Sequence, residues 1–143
     1  MKLNIGSGIY PAQGYINLDI DKSVNPDIVR DITRGLPFCD EHFDEVRAYH
    51  FLEHLSPENF LFALGEVYRV LIHGGIFDII VPLGITDDPT HKIFFTDRSF
   101  NVFLDKNSQY YYKRGMIWTK IQSQILEQKY PALRIILQKN KED

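Results

Sequence analysis

The stretch from residue 56 to residue 81 constrains the chain more than any other. Ser56 is a natural helix N-cap and Pro57 fits the first helical position, where its missing N–H costs nothing. Phe60, Leu61, Leu64, Val67, Tyr68 and Leu71 then recur at helical spacing, and Gly74-Gly75 are expected to end the helix. Strand-like runs flank it at residues 45–50 and 75–81. A strand, a crossover helix and a second strand form a right-handed parallel unit, and such units place their ligand sites at the carboxyl ends of the strands.

Further strand candidates are residues 2–5, 15–20, 27–31 and 133–138, with another around 116–125. A second helix is expected from Thr96, burying Phe100, Phe103 and Leu104. No linker or repeat divides the 143 residues, so they are read as one domain, residues 1–143. Only Gly6 to Gly14 separate the first two strand cores, whereas a parallel crossover usually needs a dozen residues or more. The first crossover helix is therefore expected to be one turn or missing.

Charge and cysteine content narrow the partners. A net charge of −3 supplies no basic field for counterion release, so nucleic acid is not expected. A single cysteine, Cys39, forms no internal disulfide, and no apolar run approaches a membrane span. The chain starts directly in a strand pattern, which leaves no room for a signal peptide. These features predict a cytoplasmic protein without membrane contact.

Chemistry is sought in the loops after the strands. Gly6-Ser7-Gly8 follows the first strand, where missing Cβ atoms let the backbone approach a ligand and point N–H groups at it. The third glycine of the dinucleotide fingerprint is missing, which argues against a pyrophosphate seat. The second strand ends in Asp19-Ile20-Asp21, and a carboxylate there can accept both hydroxyl hydrogens of a ribose; Asp19 is favoured over Asp21. Asp31-Ile32 ends the third strand, where an acid can receive the exocyclic amine of adenine.

Several motifs in order resemble the class I S-adenosylmethionine (SAM)-dependent methyltransferases, especially a small branch that begins at the first strand. They are Leu3-Asn4-Ile5-Gly6-Ser7-Gly8, Gly14-Tyr15-Ile16-Asn17-Leu18-Asp19, Leu36-Pro37-Phe38 with Phe43-Asp44-Glu45-Val46, His50-Phe51-Leu52-Glu53-His54-Leu55, Glu66-Val67-Tyr68-Arg69-Val70-Leu71, and Asp88-Pro89-Thr90-His91-Lys92 with Phe94-Phe95-Thr96. The resemblance implies a Rossmann-like three-layer α/β fold with a mostly parallel central sheet, an antiparallel C-terminal strand and the shortened first crossover. It implies SAM as cofactor. Gly6, Ser7 and Gly8 would pass under its methionine part, Asp19 would hold the ribose, Asp31 and Ile32 would bracket adenine, and His50 and Phe51 would face the sulfonium. Ile20, beside Asp19, is placed in the same cofactor set. Many relatives have an acid where this chain has Asn4, which keeps an acceptor oxygen but implies weaker binding of the amino group.

His50, Glu53 and His54 invite a metal reading, but no third ligand of identifiable kind appears elsewhere in the sequence, and none is expected to bind. The plainer reading is a loop entering a helix, with Glu53 favouring the helix dipole. His42 and His73 read as surface residues, and Tyr110-Tyr111-Tyr112 with Trp118 as core and edge packing. The loop Asp87-Asp88-Pro89-Thr90-His91 follows the fifth strand on the cofactor rim. It reads either as a turn shaped by Pro89 and Thr90 or as the acceptor side, with His91 as general base and Asp88 beside it. The expected acceptor is a small molecule or sugar. A noncatalytic SAM-binding or partner-binding domain is the alternative, and a nicotinamide dehydrogenase is disfavoured by the missing glycine and the short crossover.

Overall fold

A computed structural model describes residues 1–104 and 115–140. Its seven-stranded sheet has the order β3-β2-β1-β4-β5-β7-β6. The strands are β1 (Lys2–Ile5), β2 (Ile16–Asp19), β3 (Ile28–Val29), β4 (Phe43–Tyr49), β5 (Leu71–Pro82), β6 (Trp118–Leu126) and β7 (Ala132–Lys139). The pairs from β3 through β5 are parallel, and β7 pairs antiparallel with both β5 and β6. This is the mostly parallel, Rossmann-like sheet with an antiparallel C-terminal end. The order steps outward in both directions from β1 and β4, so their carboxyl ends open a crevice at the switch point.

The helix α1 (Pro57–Val70) forms the crossover from β4 to β5. Ser56 caps it through a hydrogen bond from the Asn59 amide, and Pro57 takes the first turn. Its buried stripe is Phe60, Ala63, Leu64, Val67 and Val70, while Leu61 and Tyr68 are only half-buried at the margin. The helix also ends earlier than the glycines suggest. Leu71 turns extended at φ −77° and ψ 140° and starts β5, so Gly74 and Gly75 lie inside that strand, opposite a register shift in β4. Leu71 is fully buried, and burying it in the sheet outweighs one more helical turn.

Two other expectations change. The helix anticipated from Thr96 is, in the described residues, a 3-10 turn at Asn101–Phe103 that buries Phe100 and Phe103, with Leu104 half-buried. The tyrosine run 110–112 lies outside the described residues, whereas Trp118 is core, packed edge-on against Tyr68 and tilted against Phe77.

Residues 6–15 link β1 to parallel β2 without a helix, as their number requires. They cross the sheet face opposite α1, where Asn17 accepts from the Ala12 amide and donates to the Ala12 carbonyl. The polar side chains of that face fit this light cover. Arg47 stacks between Tyr15 and Tyr49 at 4.5 Å from each ring, and Asp78 accepts from Tyr49 and from Arg134. The apolar core lies on the α1 face, around Leu3, Val46, Ala48, Phe77, Ile79 and Leu133.

Candidate functional site

Three cavities meet at the carboxyl ends of the parallel strands, and His50 lines all of them. The residue occupies left-handed backbone at φ 55°, which ends β4 and turns the chain across the crevice.

The first cavity, about 410 Å³, is lined by Gly6, Gly8, Asp19, Ile20, Asp31, Ile32, His50 and Phe51 among others. It thus gathers the residues expected to hold ribose and adenine. Asp19 accepts the Gly8 amide through Oδ2 at 2.8 Å and the Asp21 amide through Oδ1 at 2.8 Å, so its carboxylate is locked against the glycine loop with lone pairs to spare. Asp21 instead caps the following 3-10 turn through Ser23 and does not line the cavity. Asp31 is fixed similarly. Its Oδ1 accepts from the Thr33 amide and hydroxyl, and these bonds hold its carboxyl below the ordinary range.

One expectation fails in the glycine loop. The amides of Gly6 and Ser7 both donate to the Leu18 carbonyl and that of Gly8 to Asp19, so these N–H groups are used inside the protein. At Gly6, with φ 66°, the missing Cβ makes room for the Phe51 ring, so close approach to a ligand is left to Gly8. Gly8, at φ 52°, has open space where its Cβ would be.

A second cavity, about 600 Å³, is lined by Asn4, Gly6, Ser7, Gly8, Tyr10, Arg47, Tyr49 and His50. Asn4 is buried and donates to Asn17 Oδ1 at 3.0 Å. The cofactor residues expected from the sequence thus divide between two cavities that share Gly6, Gly8 and His50.

The third cavity, about 480 Å³, lies on the far side of His50 and is lined by Glu53, His54, Thr86, Asp87, Asp88, His91, Gln128 and Tyr130. His91 and Asp88 are adjacent, with Nε2 to Oδ2 at 3.3 Å. Asp88 also shapes the turn, because its Oδ1 accepts from the Thr90 amide and hydroxyl. Glu53 does not serve the helix dipole: it is buried in the 3-10 turn Leu52–His54, with His54 Nε2 3.7 Å from Oε1. Burial pushes its carboxyl up to about 7 and pushes the His54 imidazole down. The ring of His91 packs edge-on against that of His54 at 4.9 Å.

His91 therefore joins the histidine and glutamate pair for which the sequence offered no third partner. The separation of 37 residues hides it, and only the pairing of β4 with β5 makes the two loops neighbours. Arg30, Thr86, Gln128 and Tyr130 also line the cavities. Arg30 could have been suspected from its place beside Asp31, but the last two come from the antiparallel end and carry no local signal.

A family model described as "Methyltransferase domain" matches residues 10–79, the segment that includes Asp19, Asp31, His50 and α1. The strand order and the likeness to solved structures show a Rossmann-like methyltransferase fold, and residues 10–79 are similar to the methyltransferase domain family. Among solved structures it is similar to a SAM-dependent methyltransferase from Methanosarcina mazei, with a TM-score of 0.72, 18% identity, and coverage of 99% of this chain and 92% of the other. Another is 1,6-didemethyltoxoflavin-N1-methyltransferase from Burkholderia thailandensis, solved with bound 1,6-didemethyltoxoflavin and S-adenosylhomocysteine, with a TM-score of 0.70, 15% identity, and coverage of 98% of this chain and 71% of the other. A third is the [4+2]-cyclase SpnF, with a TM-score of 0.71, 12% identity, and coverage of 99% and 75%. No curated protein matches the sequence. At these identities the likeness is one of fold, and the cyclase shows that the fold hosts more than one chemistry.

Proposed function

We propose that the chain is a SAM-dependent methyltransferase acting on a small molecule or sugar in a cytoplasmic setting. The observation that carries this reading is the junction at His50, where a cavity bearing Asp19 and Asp31 meets a separate cavity bearing Asp88 and His91. Asp19 receives the ribose hydroxyls, Asp31 and Ile32 flank adenine, and the methionine part runs past Gly6, Ser7, Gly8 and Asn4 toward His50 and Phe51. The acceptor enters from the Asp88 and His91 side. Methyl transfer from a sulfonium is an in-line displacement, so the protein chiefly aligns the two reactants and excludes water.

His91 lies where an acceptor proton would be taken. Its Nδ1 is 2.6 Å from the Thr86 hydroxyl, and Asp88 flanks Nε2, an arrangement that fixes the ring's orientation. The acceptor cavity suits a compact molecule, and the net charge of −3 disfavours a polynucleotide.

The test incubates the protein with SAM and panels of small hydroxyl- and amine-bearing metabolites, sugars and RNA, and reads S-adenosylhomocysteine and the methylated product by mass spectrometry. A small-molecule or sugar product is expected, and His91→Ala should cut its formation roughly 100-fold while SAM affinity stays nearly unchanged. SAM binding without product from any panel would favour the noncatalytic alternative, and a product from RNA alone would overturn the acceptor class.

A further inference from the structure

Glu53, His54 and His91 present three ligand-type atoms within 4.8 Å of one another. Glu53 is 1% exposed, and its Oε2 has no hydrogen-bond partner among the described residues. A carboxylate oxygen withdrawn from water without a partner is costly unless a positive group answers it. Among those residues no lysine or arginine pairs with Glu53 or with Asp88.

The two imidazoles are held in a way that suits ligation. Thr90 gives its hydroxyl hydrogen to Asp88 Oδ1 at 2.7 Å, so its 3.1 Å contact with His54 Nδ1 has the imidazole as donor. His54 then carries its proton on Nδ1 and its lone pair on Nε2, the atom that faces Glu53. His91 has Nδ1 2.6 Å from the Thr86 hydroxyl, a contact that orients the ring, with Nε2 turned toward Asp88. Outer hydrogen bonds that fix one ring nitrogen and leave the other with its lone pair are the usual setting of metal-bound histidine. The backbone is braced as well, because the amides of Lys92 and Ile93 both donate to the Glu53 carbonyl, at 2.7 and 3.2 Å, and tie the two ligand-bearing segments together.

We propose that Glu53, His54 and His91 bind one divalent first-row transition cation facing the acceptor cavity, with Asp88 as the adjacent fourth ligand. Two imidazoles with carboxylate oxygen favour manganese, cobalt or zinc over calcium or magnesium. Bonds of about 2.0–2.2 Å would draw these atoms together from separations of up to 4.8 Å. This deepens the proposed function and rests on it for the role of the cation. A ligated acceptor hydroxyl becomes more acidic, loses its proton to solvent and takes the methyl group as the carbon–sulfur bond breaks, leaving S-adenosylhomocysteine. His91 then acts as a ligand, and the cation takes over the activation of the acceptor.

The test titrates chelator-stripped full-length protein with cobalt chloride and follows the visible absorption of the bound ion, with calorimetric titrations of manganese, zinc and magnesium chlorides alongside. One equivalent of cobalt should saturate the signal. Affinity should fall at least tenfold in Glu53→Gln and in His91→Ala and stay unchanged in His73→Ala, a histidine paired with Glu41 elsewhere. No absorption change, or one that survives both substitutions in folded protein, would overturn the proposal. Because Glu53 is buried, His91→Ala on its loop decides the matter if Glu53→Gln does not fold. A parallel SAM titration separates the two readings: SAM binding without cobalt binding removes only the cation, and cobalt binding without SAM binding removes the methyltransferase.

Discussion

At the scale of single residues, the site turns on which atoms the protein has already used. Asp19 and Asp21 are two residues apart with the same chemistry, yet Asp21 closes a turn and Asp19 faces the cavity. Asp19→Ala should therefore weaken SAM binding by roughly 1.5–3 kcal/mol, the scale of a hydrogen bond to a charged group, and Asp21→Ala should leave it nearly unchanged. Calorimetry on the two variants checks this, and the reverse ranking would show that the wrong acid has been assigned. The sequence favours Asp19 because it stands at the carboxyl tip of its strand beside the glycine loop, whereas the two-residue period of a strand puts both acids on one face and does not separate them. The pairing of the Gly6, Ser7 and Gly8 amides was not legible in the sequence, since it depends on where the Leu18 carbonyl lies across the neighbouring strand. The meeting of His91 with His54 was hidden for the same reason.

At the scale of elements, α1 is anchored by more than its apolar stripe. Arg69 donates to the Leu36 and Phe38 carbonyls and pairs with Glu66 and Asp40, while Glu66 also accepts the Leu36 amide. This clamp ties the helix to the segment that leads from Asp31 into β4. The Arg69 hydrogen bond, with help from the Leu36 amide, holds the Glu66 carboxyl below its ordinary 4.5. The native state thus favours the ionised form, and the resulting stability is present above pH 4.5 and lost as the pH falls through the lowered value. Thermal melts between pH 3 and 7 should show that Glu66→Gln removes part of this acid-range slope, and a variant whose melts parallel the parent at every pH would contradict it. The helix was legible from its cap and its period. Its end was not, because the glycines that read as a stop serve a bulged strand, and the burial of Leu71 decides the boundary.

At the scale of the whole molecule, the order β3-β2-β1-β4-β5-β7-β6 assembles one site from loops scattered between residues 4 and 132. The parallel half was foreseeable from the strand, helix, strand pattern, while the length of the first crossover foretold only that its helix is one turn or missing. That short crossover also explains the polar face around Arg47 and Asp78, which has no helix from residues 6–15 to cover it. The central claim is that the cavity bearing Asp19 and Asp31 is a seat for SAM. Isothermal titration of the purified protein with SAM, S-adenosylhomocysteine and NADH tests it most directly. The account predicts saturable one-to-one binding of the first two, lost or sharply weakened in Asp19→Ala, with no heat from NADH. No binding of either sulfur ligand at millimolar concentration, or binding of NADH instead, would contradict it.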